Sequence, residues 1–291
     1  MSRRHLLMLL LLSAIWGASF MFIKVAVRQL EPATLAMGRT GLAAVTLLVL
    51  CPLRMPVGEA VRKLRASWLP IAVVGVLNSA IPFWLLNWAE TRIDSSLAGI
   101  LQASAPIFAA VFALFFVHAE RVTGLRLLGL AIGFAGVALL VGAVPHGSVL
   151  AALAVLAMAL CYAGGALFAA RRVPHVPTFV VALGSMLAAT LVSLPAGIAQ
   201  LPERAPGWKA IGSVVALGVG GSAIAYLLYF AIIAGAGASR AILVTYLIPP
   251  AALFYGAVLL DERVGVADLG GLALVLAGVA LGTGAVTRLR R

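Results

Sequence analysis

The 291-residue chain is 63% hydrophobic and only 10% charged, with a mean hydropathy of +1.13. Soluble domains average roughly 45–50% apolar and about 25% charged residues, so the composition excludes an ordinary water-soluble fold. The net charge of +12 is spread through short gaps between apolar runs, without a dense basic tract, which argues against a nucleic-acid partner.

Ten runs reach the roughly 20 apolar residues that a helix needs to cross the hydrocarbon core. In chain order, spans 1 to 10 cover residues 6–27, 33–52, 68–89, 95–117, 123–143, 148–170, 177–200, 208–233, 238–260 and 265–285. The runs are continuous and not alternating, so a β-barrel is excluded and an all-α polytopic membrane protein is expected.

Span 1 follows Met1-Ser2-Arg3-Arg4-His5 and resembles the start of a signal peptide. Its apolar run continues past Trp16-Gly17 to Val27 with no clean cleavage site, so it reads as the first membrane helix. Trp16 falls near its middle. Lys24, eight residues on, stands about 12 Å nearer the outer face, where it can snorkel to water or anchor a substrate carboxylate. Span 2 opens at Pro32 and carries Arg39 too deep for easy escape. Arg39 is expected to pair with helix-end carbonyls or a loop carboxylate.

Span 3 holds Asn78, Pro82, Phe83, Trp84, Asn87 and Trp88, and span 4 holds Gln102 and Ser104 before Pro106. Span 5 contains Gly129, Gly133 and Gly136, and span 10 contains Gly278 and Gly282, small residues that let backbones approach closely. Span 6 carries Tyr162 at the position matching Trp16. Span 8 carries Gly220-Gly221-Ser222, Tyr226 and Tyr229, and span 9 carries Thr245, Tyr246 and Pro249-Pro250. Prolines inside spans free backbone carbonyls, which are tolerated where they line a cavity. Trp88 and Trp208 lie near span ends and read as interfacial belt residues. Cys51 and Cys161 have no CxxC partner and read as packing residues.

The five-span pattern is written twice. Glu120-Arg121-Val122 before span 5 returns as Glu262-Arg263-Val264 before span 10, and Ser95-Ser96 leading to Pro106 returns as Ala238-Ser239 leading to Pro249. The expected halves are residues 1–145 and 146–291. An odd number of spans per copy inverts the second copy, an arrangement that lets a midplane site face either side. Charge counts agree. The N-terminus, even-numbered loops and C-terminus hold fourteen Lys/Arg, and the other side holds five. Both termini are therefore expected in the cytoplasm.

All nine acidic residues and all four histidines fall in loops or at helix ends, so no midplane acid is expected to relay protons. There is no HExxH, no Ser/His/Asp set at one depth and no phosphate-cradling loop, and the loops are too short for a nucleotide domain. These absences argue against an enzyme and against an ATP-driven pump, and no metal or other cofactor is expected. The candidate substrate set is Trp16, Asn78, Trp84, Asn87, Gln102, Tyr162, Tyr226, Tyr246 and Lys24. The candidate hinges are Pro82, Pro106, Pro249 and Pro250. Each ring could instead be core, and each amide could serve a neighbouring helix. A pocket of such groups suits a neutral or zwitterionic solute with an apolar body.

Trp16-Gly17-x-Ser19-Phe20-xxx-Lys24, Pro32, Arg39 and the Ala-Glu-Arg-Val and Asp-Glu-Arg-Val turns resemble the ten-helix EamA-type permeases of the drug/metabolite transporter superfamily. The length and the Asn/Trp-rich span 3 are most similar to the YddG type of aromatic amino-acid exporter. The resemblance implies a basket of two five-helix repeats with spans 3, 4, 8 and 9 flanking a central cavity and spans 5 and 10 at one edge. It further implies a monomeric bacterial inner-membrane exporter working by alternating access. The four-helix relatives use a glutamate in their first helix. No acid stands there here, so facilitative uniport is expected. Nucleotide-sugar, sugar-phosphate or drug cargo is the alternative.

Overall fold

A computed structural model describes residues 3–116, 124–143, 148–236, 241 and 243–282. Glu120-Arg121-Val122, His118, Pro145-His146-Gly147, Ala238-Ser239-Arg240 and the terminal Arg288, Arg290 and Arg291 lie outside these residues.

Every span is helical where it is described. Spans 1 to 4 are Arg3–Ala26, Pro32–Leu53, Trp68–Glu90 and Ser95–Phe112, and spans 6 to 8 are Val149–Arg172, Thr178–Ala199 and Trp208–Ile233. Spans 5, 9 and 10 are the shorter apolar helices Leu127–Gly142, Val244–Leu259 and Val266–Leu281. Large apolar side chains such as Leu7, Val49, Leu191 and Phe254 are exposed. Helices apolar on all sides suit a lipid surround, because lipid and not water meets the outer faces. One further helix, Val57–Ala66, joins spans 2 and 3. It is amphipathic and charged, with Lys63 bridging Glu59 at 3.1 Å. The apolar-run reading passes over it because it is too short and polar to span.

The packing order interleaves the halves. Span 1 packs on spans 8 and 9, and span 6 packs on spans 3 and 4. Span 2 meets span 8 as span 7 meets span 3, and the pairs 2 with 7, 4 with 9 and 5 with 10 complete the most extensive contacts. Advancing each span by five leaves this list unchanged, as a two-fold pseudo-axis requires. Spans 5 and 10 form an edge pair whose glycines touch: a Cβ on Gly136 would lie 2.8 Å from Leu274 Cβ, and one on Gly278 would fall on the Gly133 backbone.

Spans 3 and 8 are not uniform α-helices. Each carries a π-helical segment, Val76–Ala80 and Ala216–Ile224, at matching places in the two halves. Span 4 breaks at Ala103–Ser104, between helices Ser95–Gln102 and Ala105–Phe116. Such irregularities free backbone groups and cluster at functional sites.

The helix ends that the charge counts assign to the outside are satisfied across the bundle. The Lys24 ammonium donates to the Glu90 and Ile93 carbonyls at 2.9 and 2.7 Å, at the end of span 3. Thr34 donates to the Gly197 and Gln200 carbonyls at 2.9 and 2.8 Å, at the end of span 7. The Glu262 carboxylate accepts the backbone N–H groups of Ser95 and Ser96, at 2.8 and 2.9 Å, and the Ser96 hydroxyl. These partners fill the orphan groups of three helix ends that their own neighbours leave open.

Candidate functional site

A cavity of about 550 Å³ lies at the centre of the bundle, lined from spans 1, 2, 3, 4, 6, 8 and 9. Two related corners build it. In the first, Trp16 on span 1 faces the π segment of span 8: its indole N–H donates to the Gly221 carbonyl at 3.1 Å. Its ring meets Tyr226 edge-on at 6.3 Å and Tyr229 at 5.6 Å with a 49° tilt. Gly221 packs closely there: a Cβ would lie 2.8 Å from Ser19 Oγ and would push that hydroxyl aside. In the second corner, Tyr162 on span 6 stands near the π segment of span 3, where Asn78 is seated against Gly165. Asn78 matches Gly221 in the repeat, and Gly165 matches Ser19. The bulky polar partner and the glycine have therefore changed sides, which makes the cavity lopsided.

Five of the nine candidate substrate residues line this cavity: Trp16, Asn78, Gln102, Tyr162 and Tyr226. The other four do not. Trp84 points outward and is 43% exposed, one face of span 3 being turned to lipid. Asn87 is fully buried, and its amide donates to the Pro32 carbonyl at 3.0 Å, joining span 3 to the start of span 2. Tyr246 packs into the apolar core beside the cavity. Lys24 is committed to the carbonyls at the end of span 3, where a cation complements the helix terminus. It neither snorkels nor faces the cavity.

The proline candidates also separate. Pro106 lines the cavity in the first turn after the break in span 4, and Pro82 lies in the first turn of the helix after the π segment of span 3. Pro249 lines the cavity and Pro250 faces outward, both within the continuous helix of span 9.

Arg39 departs from expectation: among the described residues it forms no ion pair or hydrogen bond with a carboxylate or helix-end carbonyl, although the charge of Glu90 reaches it. Arg39 lines the cavity with its Nε donating to Ser222 Oγ at 3.0 Å and its guanidinium 3.8 Å above the Phe83 ring. A cation deep in a span, with no acid at matching depth, was the signal available in sequence. Glu90 stands at the end of span 3, as expected for a helix-end acid; it is fully buried there, and neither carboxyl oxygen has a hydrogen-bond partner among the described residues.

Beyond the cavity, spans 1, 4 and 9 close on one another toward the face where span 4 begins. A Cβ on Gly17 would strike Ala251, and one on Gly99 would strike Ala252 and approach Phe20. The Glu262 cap lies farther along this seal. Burial alone would raise the Glu262 carboxyl, but the hydrogen bonds from Ser96 and Ser95 hold it below the ordinary carboxylate value. Neighbouring Asp94 is pushed up by burial and by the Glu262 charge.

The model of the EamA-like transporter family matches residues 3–142 and again 149–283. A protein of Streptantibioticus cattleyicolor named "Probable terminal-alkyne amino-acid exporter" is 31% identical over 273 residues, covering 91% of this chain and 89% of its own. The Escherichia coli inner membrane transporter YedA is 28% identical, covering 92% of this chain and 87% of its own. An Archaeoglobus fulgidus transporter is 28% identical, covering 91% and 93%. A solved crystal structure of 23% identity superposes with a TM-score of 0.70 over 100% of both chains, which shows the shared fold. With both halves matched, the chain belongs to the EamA-like transporter family and is a multi-pass membrane transporter, not an enzyme.

Proposed function

We propose that this transporter exports amino acids with apolar or aromatic side chains across the inner membrane by alternating access. The observation that carries the reading is the central cavity, which among the described residues combines aromatic faces, two amides and a single cation at the junction of the two halves. Its volume of about 550 Å³ falls in the range of small-molecule sites, roughly 300–1,000 Å³. The named function of the S. cattleyicolor relative supports the same class. Cargo with several negative charges is poorly matched, since nucleotide sugars and sugar phosphates need more than one cation. Cationic drugs are poorly matched too, because no acid lines the cavity among the described residues.

Transport in this reading is facilitative, both termini are cytoplasmic, and one chain is the working unit. Rocking of spans 3, 4, 8 and 9 at their π segments and the span 4 break opens one face as the other seals. Proteoliposomes loaded with phenylalanine or leucine are expected to exchange labelled substrate with no imposed pH gradient. Flux that appears only with a proton gradient would sink the uniport reading. Trp16→Ala or Asn78→Ala is expected to abolish the ligand-dependent thermal shift of the purified protein. A preserved shift would move the site elsewhere.

A further inference from the structure

Arg39 is the feature of the cavity that the proposed function leaves unexplained. It lies on span 2 and is 5% exposed. Ser222 holds its Nε, and Phe83 covers one face of its guanidinium. Among the described residues no carboxylate forms an ion pair with it; the charge of the buried Glu90 reaches it, but no hydrogen bond joins the two. No further hydrogen bond from the guanidinium is formed among the described residues, and its Nη groups are not sealed inside protein. They open onto the cavity that the residue lines. A guanidinium does not give up its proton inside a protein. A buried charge without a counter-ion is costly unless something supplies one.

We propose that Arg39 is the anion site of the transporter and receives one carboxylate of the transported solute on its Nη edge. Its planar fork presents two parallel N–H donors, which match the two oxygens of a carboxylate. Ser222 and Phe83 fix the orientation of that fork before the solute arrives. The hydroxyl that does so belongs to the π segment of span 8, so the charge on span 2 is aimed by an element of the other half. The ring faces of Trp16, Tyr162 and Tyr226 and the amide oxygens of Asn78 and Gln102 share the cavity and can accept an ammonium group. A single cation selects solutes with a single carboxylate. This inference rests on the amino-acid reading for the ammonium group only; the carboxylate site stands without it.

Four probes separate the two. The thermal shift of the purified full chain is titrated with phenylalanine, 3-phenylpropionate, phenethylamine and phenylalaninamide. Phenylalanine and 3-phenylpropionate are expected to bind about 10- to 100-fold more tightly than the amine and the amide, the span expected for a charge-assisted bidentate contact. Arg39→Gln is expected to erase that preference, Arg39→Lys to restore part of it, and Ser222→Ala to weaken both carboxylates by a few-fold through loss of aim. Equal binding of the amine or the amide to the unmodified chain overturns the Arg39 site and leaves the amino-acid cavity standing. Equal binding of phenylalanine and 3-phenylpropionate, both above the amine, keeps the Arg39 site and sinks the amino-acid reading. Absence of binding by all four probes overturns both.

Discussion

Replacing Gly278 with leucine is expected to force spans 5 and 10 apart and lower the apparent melting temperature by about 2–5 °C, from an overpacking cost of about 1–3 kcal/mol. Between helices in lipid there is no hydrophobic drive to closeness, so contact rests on van der Waals fit between small residues. A Cβ at position 278 would fall on the Gly133 backbone, which cannot rotate away as a side chain can. The matching site on span 5, Gly136, is also tight, since a Cβ there would lie 2.9 Å from Val275 N. Gly142→Leu is the internal control, because nothing lies within 4 Å of a Cβ there. Thermal unfolding of both variants in the same detergent checks the result. An unchanged melting temperature in Gly278→Leu would show that the seam opens at no cost.

Glu262→Ala is expected to cost about 1–2 kcal/mol, discounted because the carboxylate is only partly buried. It removes the acceptor for three donors at the start of span 4. The turn is built for this contact. Asp261 takes φ 55°, a left-handed conformation uncommon outside glycine, and the Glu262 N–H returns to the Gly256 carbonyl at 3.1 Å. Gly256 leaves room for the Ser96 hydroxyl and the carboxylate together. The sign with pH follows from the depressed carboxyl. Its stabilisation is fully present above the ordinary glutamate value and is lost as pH falls through the lower value that Glu262 has in the fold. Melting temperatures measured from neutral pH down past the carboxylate range should fall more steeply for the parent than for Glu262→Gln. Parallel curves would mean that the cap contributes nothing measurable.

The span count and the pairing of Trp16 with Tyr162 were legible because apolar runs and the internal repeat are one-dimensional signals. Both residues line the cavity. The repeat also marked the Glu-Arg-Val turns, although not the purpose of the acid. Only packing reveals that Glu262 reaches a helix that begins 167 residues earlier, at Ser95. Two candidates fall outside the cavity for the same reason. Trp84 and Asn87 lie on the same span as Asn78, but a helix advances 100° per residue and neighbours in sequence face different surroundings. Trp84 therefore meets lipid and Asn87 meets Pro32. The π segments of spans 3 and 8 left no mark beyond glycines and a following proline, since the extra residue per turn is a matter of backbone bonding.

By itself the sequence determined that this is a ten-span protein of two homologous halves with the family's turns. Hydropathy and repetition are properties of the chain order, and lipid enforces them without reference to neighbours. The tertiary structure decided which side chains share the cavity. Whether a buried cation is capped, paired or left open depends on what faces it across the bundle. Lys24 and Arg39 look alike in sequence, as basic residues within apolar runs. Span 3 ends beside Lys24 and takes its ammonium with two backbone carbonyls, while among the described residues no carboxylate forms an ion pair or hydrogen bond with Arg39. That difference in surroundings moves the site's charge from span 1 to span 2.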